Sequence, residues 1–371
     1  MKTSTTKKIE AAFDEVVAIA RRVLPAKMTA AVLYGSEDLR IEQIDVPSLA
    51  PDEVLLRVRL ALTDGTDLKV WQRGYHAKMI QPPAVFGHEV VGEIVAVGKR
   101  VDSRWKLGSR VVAANSAPCL RCRFCRRGQE NLCEDLLFNN GAYAEFMRIP
   151  GRIVMENMLE VPHSVDDQSA ALVEPLACVL RGIHEMDLRT GDTVAVIGCG
   201  PIGLKYVRML SRRGIRVISL ARRQAPLDVA RRLGAAAMIN VNEVPDAVAA
   251  VRALTDDARG PDAVVEAAGN PSAWSLALNM VRRGGVVNFF SGLPSGTRIE
   301  IEPAAIHYNE IKVISPFHHT PRFIREALEA VRRGDISAQD FVTEEIALAD
   351  LPQAFERMKA RSGEIKLAVR P

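Results

Sequence analysis

The chain has 371 residues, of which 48% are hydrophobic and 25% are charged, and its formal net charge is +4. This size and composition indicate a globular protein of about two domains, and no apolar run reaches the roughly 18 to 20 residues that a transmembrane helix needs. We therefore expect no membrane partner, and because the arginine pairs are scattered along the chain we expect no nucleic-acid partner either.

The first 27 residues read as a separate N-terminal extension. A start rich in Lys and Thr is followed by apolar residues at helical spacing from Ile9 to Leu24, and Pro25 closes the segment. Glu10 and Asp14 argue against a transit peptide, which would be poor in acids. We therefore expect residues 1–27 to form an amphipathic helix that docks on the body of the protein or on a neighbouring subunit.

The region from Thr29 to about Val161 has the pattern of a β-rich domain. Short alternating strands, such as Val54 to Leu60 and Val90 to Val97, are separated by Gly, Pro and Asp. The sequence therefore predicts an irregular β domain over this region.

One short, Arg-rich loop of this domain contains a cysteine quartet, Cys119, Cys122, Cys125 and Cys133. A tetrahedral zinc ion with sulfur ligands at roughly 2.3 Å satisfies four thiolates at once and closes the loop. The alternative is two disulfides, but the chain begins without a cleavable apolar signal, and Cys178 and Cys199 read as packing residues. The quartet thus predicts a structural zinc, and reduced cysteines predict the cytoplasm.

After a helical stretch from Leu172 to Met186, the sequence alternates between strands and helices. The strands are runs of β-branched residues at Thr193 to Ile197, Val217 to Leu220, Ala263 to Val265 and Val286 to Phe290. Such βαβ units build a parallel sheet. The tail from about Pro316 returns to a mixed pattern, and we expect it to rejoin the first domain.

The first turn of this sheet has the spacing of a dinucleotide-binding loop. It follows an apolar strand, precedes the helix predicted from Leu204 to Leu210, and reads Gly198, Cys199, Gly200, Pro201, Ile202 and Gly203. Glycines at these positions allow a tight turn, a close approach to a pyrophosphate and helix packing on the strand. The alternative is an ordinary Gly-rich loop.

The end of the second strand predicts which coenzyme this loop binds. About twenty residues beyond the loop, an NAD site places an acid on the ribose hydroxyls, but here the strand ends with Ala221, Arg222 and Arg223. Two guanidinium groups attract a 2′-phosphate that an acid would repel. We therefore expect NADP(H) in preference to NAD(H), unless the two arginines are only solvent-facing.

Two further motifs, together with the cysteine quartet, carry a resemblance to a known family. Gly87 to Gly92 reads G-H-E-V-V-G, Val173 to Ala177 reads V-E-P-L-A, and the cysteine quartet resembles a lobe zinc site. From Thr29 onward the chain resembles the zinc-containing medium-chain dehydrogenases/reductases, in the branch of sorbitol, threonine and glucose dehydrogenases. Ile306 to Tyr308 and Phe317 to Pro321 are similar to late segments of polyol dehydrogenases.

The resemblance implies an α/β protein with two domains. A GroES-like β-rich catalytic domain would comprise residues 28–178 and 317–371, and a Rossmann coenzyme domain with a doubly wound parallel sheet would comprise residues 179–316. A homo-oligomer, either a dimer or a tetramer, is the expected assembly.

The resemblance also implies a catalytic zinc site. Its ligands would be Asp64, His88, Glu89 and Glu174, with Glu174 serving as a fourth ligand or exchanging with water. Asp64 stands where this family usually has a cysteine; a carboxylate keeps the negative charge and ligates zinc at about 2.0 to 2.2 Å, but it selects zinc less strongly.

Four other residues would support this site. Asp67 would accept the second ring N–H of His88, and Thr66 would relay a proton. His318 and His319 would contact the substrate, although each could instead be a structural histidine.

These features predict an NADP(H)-dependent zinc enzyme that interconverts a secondary alcohol and a ketone, acting on a polyol-like or sugar-like small molecule. One alternative is a zinc-independent reductase of the same fold, in which Asp64 has drifted from a ligand role. The other is a non-catalytic NADPH-binding or regulatory protein.

Overall fold

The computed structural model describes residues 24–76, 78–360, 363 and 365–371, so most of the predicted N-terminal helix, residues 1–27, lies outside the described residues. The chain divides into two units, one running up to Glu174 and including Val342–Pro371, and the other comprising Pro175–Phe341. No helix in the described part of the chain is long and apolar enough to cross a membrane.

The first unit is rich in short strands, as the sequence predicts. Before Glu174 its strands are β1 (Lys27–Gly35), β2 (Asp38–Asp45), β3 (Val54–Leu62), β4 (Ala84–Val85), β5 (Glu89–Val97), β6 (Arg110–Ala113), β7 (Ser116–Ala117), β8 (Leu137–Phe138), β9 (Phe146–Ile149) and β10 (Met158–Glu160). Its helices are α1 (Gly65–Arg73), α2 (Gly151–Glu156) and α3 (Asp167–Ala171), and α4 (Val173–Glu185) follows. The predicted strands near Val54 and Val90 correspond to β3 and β5.

The second unit contains the predicted parallel sheet. Its strands are β11 (Thr193–Ile197), β12 (Arg216–Ala221), β13 (Ala237–Asn240), β14 (Ala263–Glu266), β15 (Val286–Phe289) and β16 (Lys312–Ile314). Its helices are α5 (Pro201–Ser211), α6 (Gln224–Arg232), α7 (Ala247–Ala253), α8 (Pro271–Met280), α9 (Pro303–His307) and α10 (Pro321–Arg332). The order β13-β12-β11-β14-β15-β16, with parallel pairing throughout, is the doubly wound Rossmann arrangement.

Helix α5 begins earlier than the sequence predicts. The prediction starts the helix at Leu204, but the helix starts at Pro201. Proline is favoured at the first helical position because its missing N–H has no partner there in any case. The Gly-rich loop therefore leads straight into the helix without an intervening turn.

The chain returns to the first unit later than the predicted boundary at residues 316 and 317. The segment up to Phe341 belongs to the second unit: Arg208 donates to the Asp335 carbonyl at 2.8 Å, and the Phe323 ring lies 5.6 Å from that of His184. The first boundary falls at Glu174, slightly before the predicted residue 178. The chain then adds β17 (Val342–Ala347), α11 (Leu351–Ala360) and β18 (Lys366–Arg370) to the first unit.

The main sheet of the first unit places N-terminal and C-terminal residues side by side. Its order is β10-β6-β5-β3-β18-β17, and β9 also pairs with β3. Strand β18 lies antiparallel to β3, and Ala368 is opposite Leu62. The last strand of the chain therefore begins next to the point where α1 begins, close to the predicted metal ligands.

Candidate functional site

Asp64 begins helix α1 and uses one carboxylate oxygen to do so. Its Oδ1 accepts the backbone N–H groups of Thr66 at 2.7 Å and Asp67 at 2.8 Å, and Asp67 Oδ2 accepts the N–H of Asp64 at 3.2 Å. This reciprocal capping box satisfies N–H groups that have no partner within the helix. It fixes Asp64 by Oδ1 and leaves Oδ2 directed elsewhere.

The other oxygen of Asp64 faces His88. Asp64 Oδ2 lies 3.9 Å from His88 Nε2, while His88 Nδ1 lies 3.0 Å from Asp67 Oδ1. An Nδ1–H that donates to Asp67 leaves Nε2 with a lone pair for a metal. The structure thus brings Asp64, Asp67 and His88 together as the sequence predicts, and it gives Asp67 the contact expected of it.

His88 is held in an environment that favours positive charge. Burial alone would lower the pKa of His88, but the carboxylates of Asp67 and Asp64 outweigh it and hold the pKa well above the ordinary value. Burial likewise opposes ionisation of Asp64, yet His88 and Lys366 keep the pKa of Asp64 below its usual range. The carboxylates therefore favour a positive charge at the His88 ring, and a metal bound at Nε2 would take the place of the proton there.

Glu89 is fully buried and has a partner that the sequence reasoning missed. Lys366 Nζ donates to both carboxylate oxygens of Glu89, at 2.8 and 2.7 Å, and to the carbonyl of Thr63 at 2.6 Å. The exposed fractions of the Lys366 and Glu89 side chains are 1% and 0%. A lone lysine within the apolar strand β18 is the sequence signal that could have revealed such a buried partner.

Glu174 completes a tight group of candidate ligands. Ligand atoms of His88, Glu89 and Glu174 lie within 4.8 Å of one another, as do those of Asp64, Asp67 and His88. Burial raises the pKa of Glu174 to about 7, against the opposing charge of His88. Thr66 lies half-buried in the first turn of α1.

This donor set fits a divalent metal. Two ligand atoms of a tetrahedral zinc ion, each about 2.1 Å from it, lie about 3.4 Å apart, which is close to the observed 3.9 Å between Asp64 Oδ2 and His88 Nε2. Asp64 offers a single oxygen because Oδ1 is engaged by the helix. An imidazole with carboxylates is a harder set than one containing a thiolate.

The cysteine quartet forms a second candidate metal site. The Sγ atoms of Cys122 and Cys125 lie 3.5 Å apart, and those of Cys122 and Cys133 lie 4.0 Å apart, beyond the roughly 2.05 Å of a disulfide. Sulfur atoms around a tetrahedral zinc lie about 3.8 Å apart. Backbone N–H groups of Cys125 and Glu134 lower the pKa of Cys122 to about 6, which favours the thiolate that binds metal.

Leu120 lies in the quartet loop, between Cys119 and Cys122. Its φ is 56°, in the left-handed region that glycine adopts without cost. A leucine there costs roughly 1 to 2 kcal/mol.

The Gly-rich loop has the shape that a pyrophosphate requires. Gly198 has a φ of 99°, and a Cβ on Gly203 would lie 1.8 Å from the carbonyl oxygen of Gly198. A Cβ on Gly200 would meet no atom within 4 Å, and Gly200 caps α5 without a side-chain hydrogen bond. The N-terminus of α5 is therefore open to an anion, with Pro201 and Ile202 in its first turn.

The remaining predicted residues also lie in the second unit. Arg222 and Arg223 are exposed after Ala221 at the end of β12, and Asn242 donates to the Arg222 carbonyl at 2.9 Å. His319 is buried and its ring lies 4.0 Å from that of His318, which has a φ of 67°. Their roles toward coenzyme and substrate remain predictions.

Comparison with known proteins identifies both parts of the chain. The family model of the alcohol dehydrogenase GroES-like domain matches residues 50–161, and that of the zinc-binding dehydrogenase matches residues 201–333. Sorbitol dehydrogenase of Bacillus subtilis (strain 168) is 32% identical, covering 94% of this chain and 98% of that protein. D-arabinitol dehydrogenase 1 of Uromyces fabae is 32% identical, covering 95% and 100%.

A solved structure supports the same fold. A zinc-binding dehydrogenase from Sinorhizobium meliloti 1021, bound to NADP, superimposes with a TM-score of 0.85 at 29% identity. The match covers 94% of this chain and 100% of that one.

The quartet geometry predicts one tightly held zinc ion per chain. Replacing Cys122 by Ser should release about one equivalent of zinc and lower the thermal stability, because metal binding and folding of the loop are coupled. Zinc analysis of purified protein after mild chelation measures this. Cys199→Ser, which removes a buried thiol elsewhere, should keep the zinc. Purified protein with the quartet paired as disulfides and without zinc would contradict the assignment.

The buried pair predicts a large stability cost for losing Lys366. Lys366→Met should lower the free energy of unfolding by about 3 to 5 kcal/mol, because it leaves Glu89 buried without its partner. Denaturant unfolding measures this. Lys359→Met is the matched control, since Lys359 pairs with Glu37 at 2.6 Å in an exposed position and should change stability little.

The double variant separates charge from packing. Adding Glu89→Leu to Lys366→Met should recover much of the lost stability, because no buried charge then remains unpaired. Equal stability of wild type and Lys366→Met would show that the pair is not buried as described.

Proposed function

This chain belongs to the zinc-containing alcohol dehydrogenase family, with a GroES-like and a Rossmann domain, and we propose that it transfers hydride between NADP(H) and a secondary alcohol or ketone in a zinc-dependent reaction. The observation that carries the proposal is a pair of ligand groups that share His88: Asp64 Oδ2 lies 3.9 Å from His88 Nε2, and ligand atoms of His88, Glu89 and Glu174 lie within 4.8 Å of one another. Membership of the family supports an oxidoreductase that acts on alcohols. We propose in addition the zinc dependence, the preference for NADP(H) and the substrate class.

Asp64, His88 and Glu174 would hold the catalytic zinc. When bound, the zinc acts as a Lewis acid that lowers the pKa of an alcohol toward neutrality. Asp67 holds His88 in the tautomer that presents Nε2, and the capping box holds Asp64 so that Oδ2 faces Nε2. These contacts fix the ligand atoms before a metal arrives, which reduces the reorganisation on binding.

The role that we propose for Glu89 differs from the ligand role that the G-H-E motif implies. Both of its oxygens accept hydrogen bonds from Lys366, so it would have to share or exchange that partner to ligate zinc. We propose that Glu89 acts chiefly by balancing charge next to the metal, with ligation as an alternative state. The Thr66 hydroxyl remains our candidate for passing the alcohol proton outward.

The proposed substrate is a polyol-like or sugar-like molecule. Relatives that support it are named for sorbitol and D-arabinitol, each 32% identical to this chain along nearly its whole length. A cluster of carboxylates and histidine suits a substrate with several hydroxyl groups, which can exchange hydrogen bonds with polar side chains. His318 and His319 are the proposed substrate contacts.

The proposed assembly is a homo-oligomer in the cytoplasm. Strand β16 lies at the edge of the Rossmann sheet, and its central Val313 is 44% exposed. An exposed strand edge with apolar side chains is suited to pairing with another chain, which supports a dimer or tetramer. The quartet thiols support a reducing compartment.

The exposed arginines after β12 predict a preference for NADPH over NADH of about tenfold to a hundredfold, or roughly 1.5 to 3 kcal/mol, from charge-assisted contacts with the 2′-phosphate. Fluorescence titration with both reduced coenzymes measures it. Arg222→Ala should weaken NADPH binding selectively. Arg232→Ala, at the C-terminal end of α6, is the control and should change neither affinity. Equal affinities of the wild type for the two coenzymes would refute the assignment.

The metal proposal predicts that Asp64→Ala abolishes turnover and depletes the catalytic metal, while the quartet zinc and NADPH binding remain. Because Asp64 is also a helix cap, the variant should lose about 1 kcal/mol of stability for that reason alone. Asp166→Ala removes the cap of α3 and is the matched control, expected to keep both metal and turnover. Metal analysis together with a carbonyl reduction assay measures these effects.

Asp64→Cys tests the choice of ligand. A thiolate should keep or tighten zinc but reduce turnover, because a more electron-donating ligand makes zinc a weaker Lewis acid. Full activity of Asp64→Ala on a carbonyl substrate would instead support the zinc-independent reductase. NADPH binding without hydride transfer to any carbonyl would support a non-catalytic role.

A further inference from the structure

Tyr143 is a buried residue that contacts the proposed metal site through Asp67. Its hydroxyl lies 2.5 Å from Asp67 Oδ2 and 3.1 Å from the carbonyl oxygen of Leu62. A tyrosine hydroxyl has one proton, and distances of 2.5 to 2.7 Å are typical of donation to a carboxylate. The Tyr143 proton is therefore donated to Asp67.

Asp67 has hydrogen-bond partners on both oxygens as a result. Oδ1 faces His88 Nδ1 at 3.0 Å, and Oδ2 accepts from Tyr143 and from the N–H of Asp64. With both oxygens fixed, the carboxylate cannot rotate without losing a bond. The chain of contacts thus runs from Tyr143 through Asp67 to His88.

The fold is built closely around the Tyr143 ring. The backbone N–H of Tyr143 donates to Phe86 O at 2.9 Å, and its ring packs edge-on against Phe86 with centroids 5.8 Å apart. Gly87, the residue before His88, has a φ of 89°, and a Cβ there would lie 2.7 to 2.8 Å from the ring. The ring therefore lies directly against the turn that carries His88.

We propose that Tyr143 is a positioning residue, which locks the Asp67 carboxylate and thereby fixes His88 Nε2 toward the metal. The inference rests on the proposed zinc site and extends it beyond the residues that touch the ion. It accounts for two features together, the glycine before His88 and the hydroxyl that caps the buried carboxylate. Neither feature is needed for Asp67 to complete the capping box that Asp64 begins.

The test is the Tyr143→Phe variant of the full chain, which keeps the ring and removes only the hydroxyl. Partners beyond the ligands typically change metal affinity by about ten- to a hundredfold, and we expect about tenfold weaker binding because Tyr143 acts one residue further out. Affinity for Co²⁺ is measured by chelator competition, and the Co²⁺ absorption spectrum reports the ligand geometry. The quartet metal should be unaffected.

Tyr206→Phe is the matched control. Tyr206 is also buried, and its hydroxyl accepts from Asn288 at 3.3 Å in the second unit. The Tyr206→Phe variant also loses a buried hydroxyl, but its Co²⁺ affinity should be the same as that of the wild type. A purely structural role of Tyr143 would lower stability in both variants but leave the metal affinity and spectrum alone.

A double-variant cycle tests the route through Asp67. Asp67→Ala should itself weaken Co²⁺ binding, and adding Tyr143→Phe should then cause no further loss. Unchanged affinity of Tyr143→Phe, or full additivity with Asp67→Ala, would overturn the inference. If Asp67→Ala does not fold, the comparison of Tyr143→Phe with Tyr206→Phe decides alone.

Metal binding by the wild-type protein shows whether the proposed function fails or only the role of Tyr143. Wild-type protein that binds only the quartet metal would refute the zinc mechanism, and the role of Tyr143 with it. Wild-type protein that binds a second metal with the same affinity as Tyr143→Phe would refute the role of Tyr143 alone.

Discussion

The crowding of four carboxylates into one poorly solvated volume is the constraint on which the rest of this structure depends. The four belong to Asp64, Asp67, Glu89 and Glu174, and their exposure ranges from 0% for Glu89 to 12% for the Asp64 side chain. Removing each charge from water costs several kcal/mol unless an opposite charge or hydrogen bonds replace the lost solvation. Lys366 offsets the charge of Glu89, and His88 offsets one more charge only when it is protonated, a state in which its Nε2 cannot ligate a metal. A divalent metal would supply the remaining charge, and this is why the cluster favours a metal enzyme.

The same residues serve both folding and the proposed chemistry. Asp64 begins α1 with one oxygen and faces His88 with the other. Lys366, on the last strand, neutralises Glu89 and also donates to Thr63 just before that helix. The site therefore depends on the main sheet being complete, since the pairing of β18 with β3 holds Lys366 next to Glu89.

The sequence predicted those parts of the molecule whose chemistry lies within short segments. The sequence predicts the quartet, the Gly-rich loop and the βαβ pattern, because ligand spacing, turn glycines and strand composition are local properties. Lys366 and Tyr143 were missed because they reach the site across 277 and 76 residues of sequence, through sheet pairing that no local pattern encodes. The boundary after Phe341 was missed for a similar reason. The amphipathic pattern of α10 fits packing in either unit, and only its contacts in the structure assign it to the second unit.

The central claim is that the cluster around Asp64 and His88 holds a metal of its own, in addition to the quartet zinc. Zinc-edge X-ray absorption on fully loaded wild-type protein, with the metal content measured in parallel, tests it most directly. The account predicts two zinc ions per chain and a mixed coordination signal, with sulfur at about 2.3 Å and oxygen or nitrogen at about 2.0 to 2.2 Å. One zinc per chain with sulfur coordination alone would contradict it.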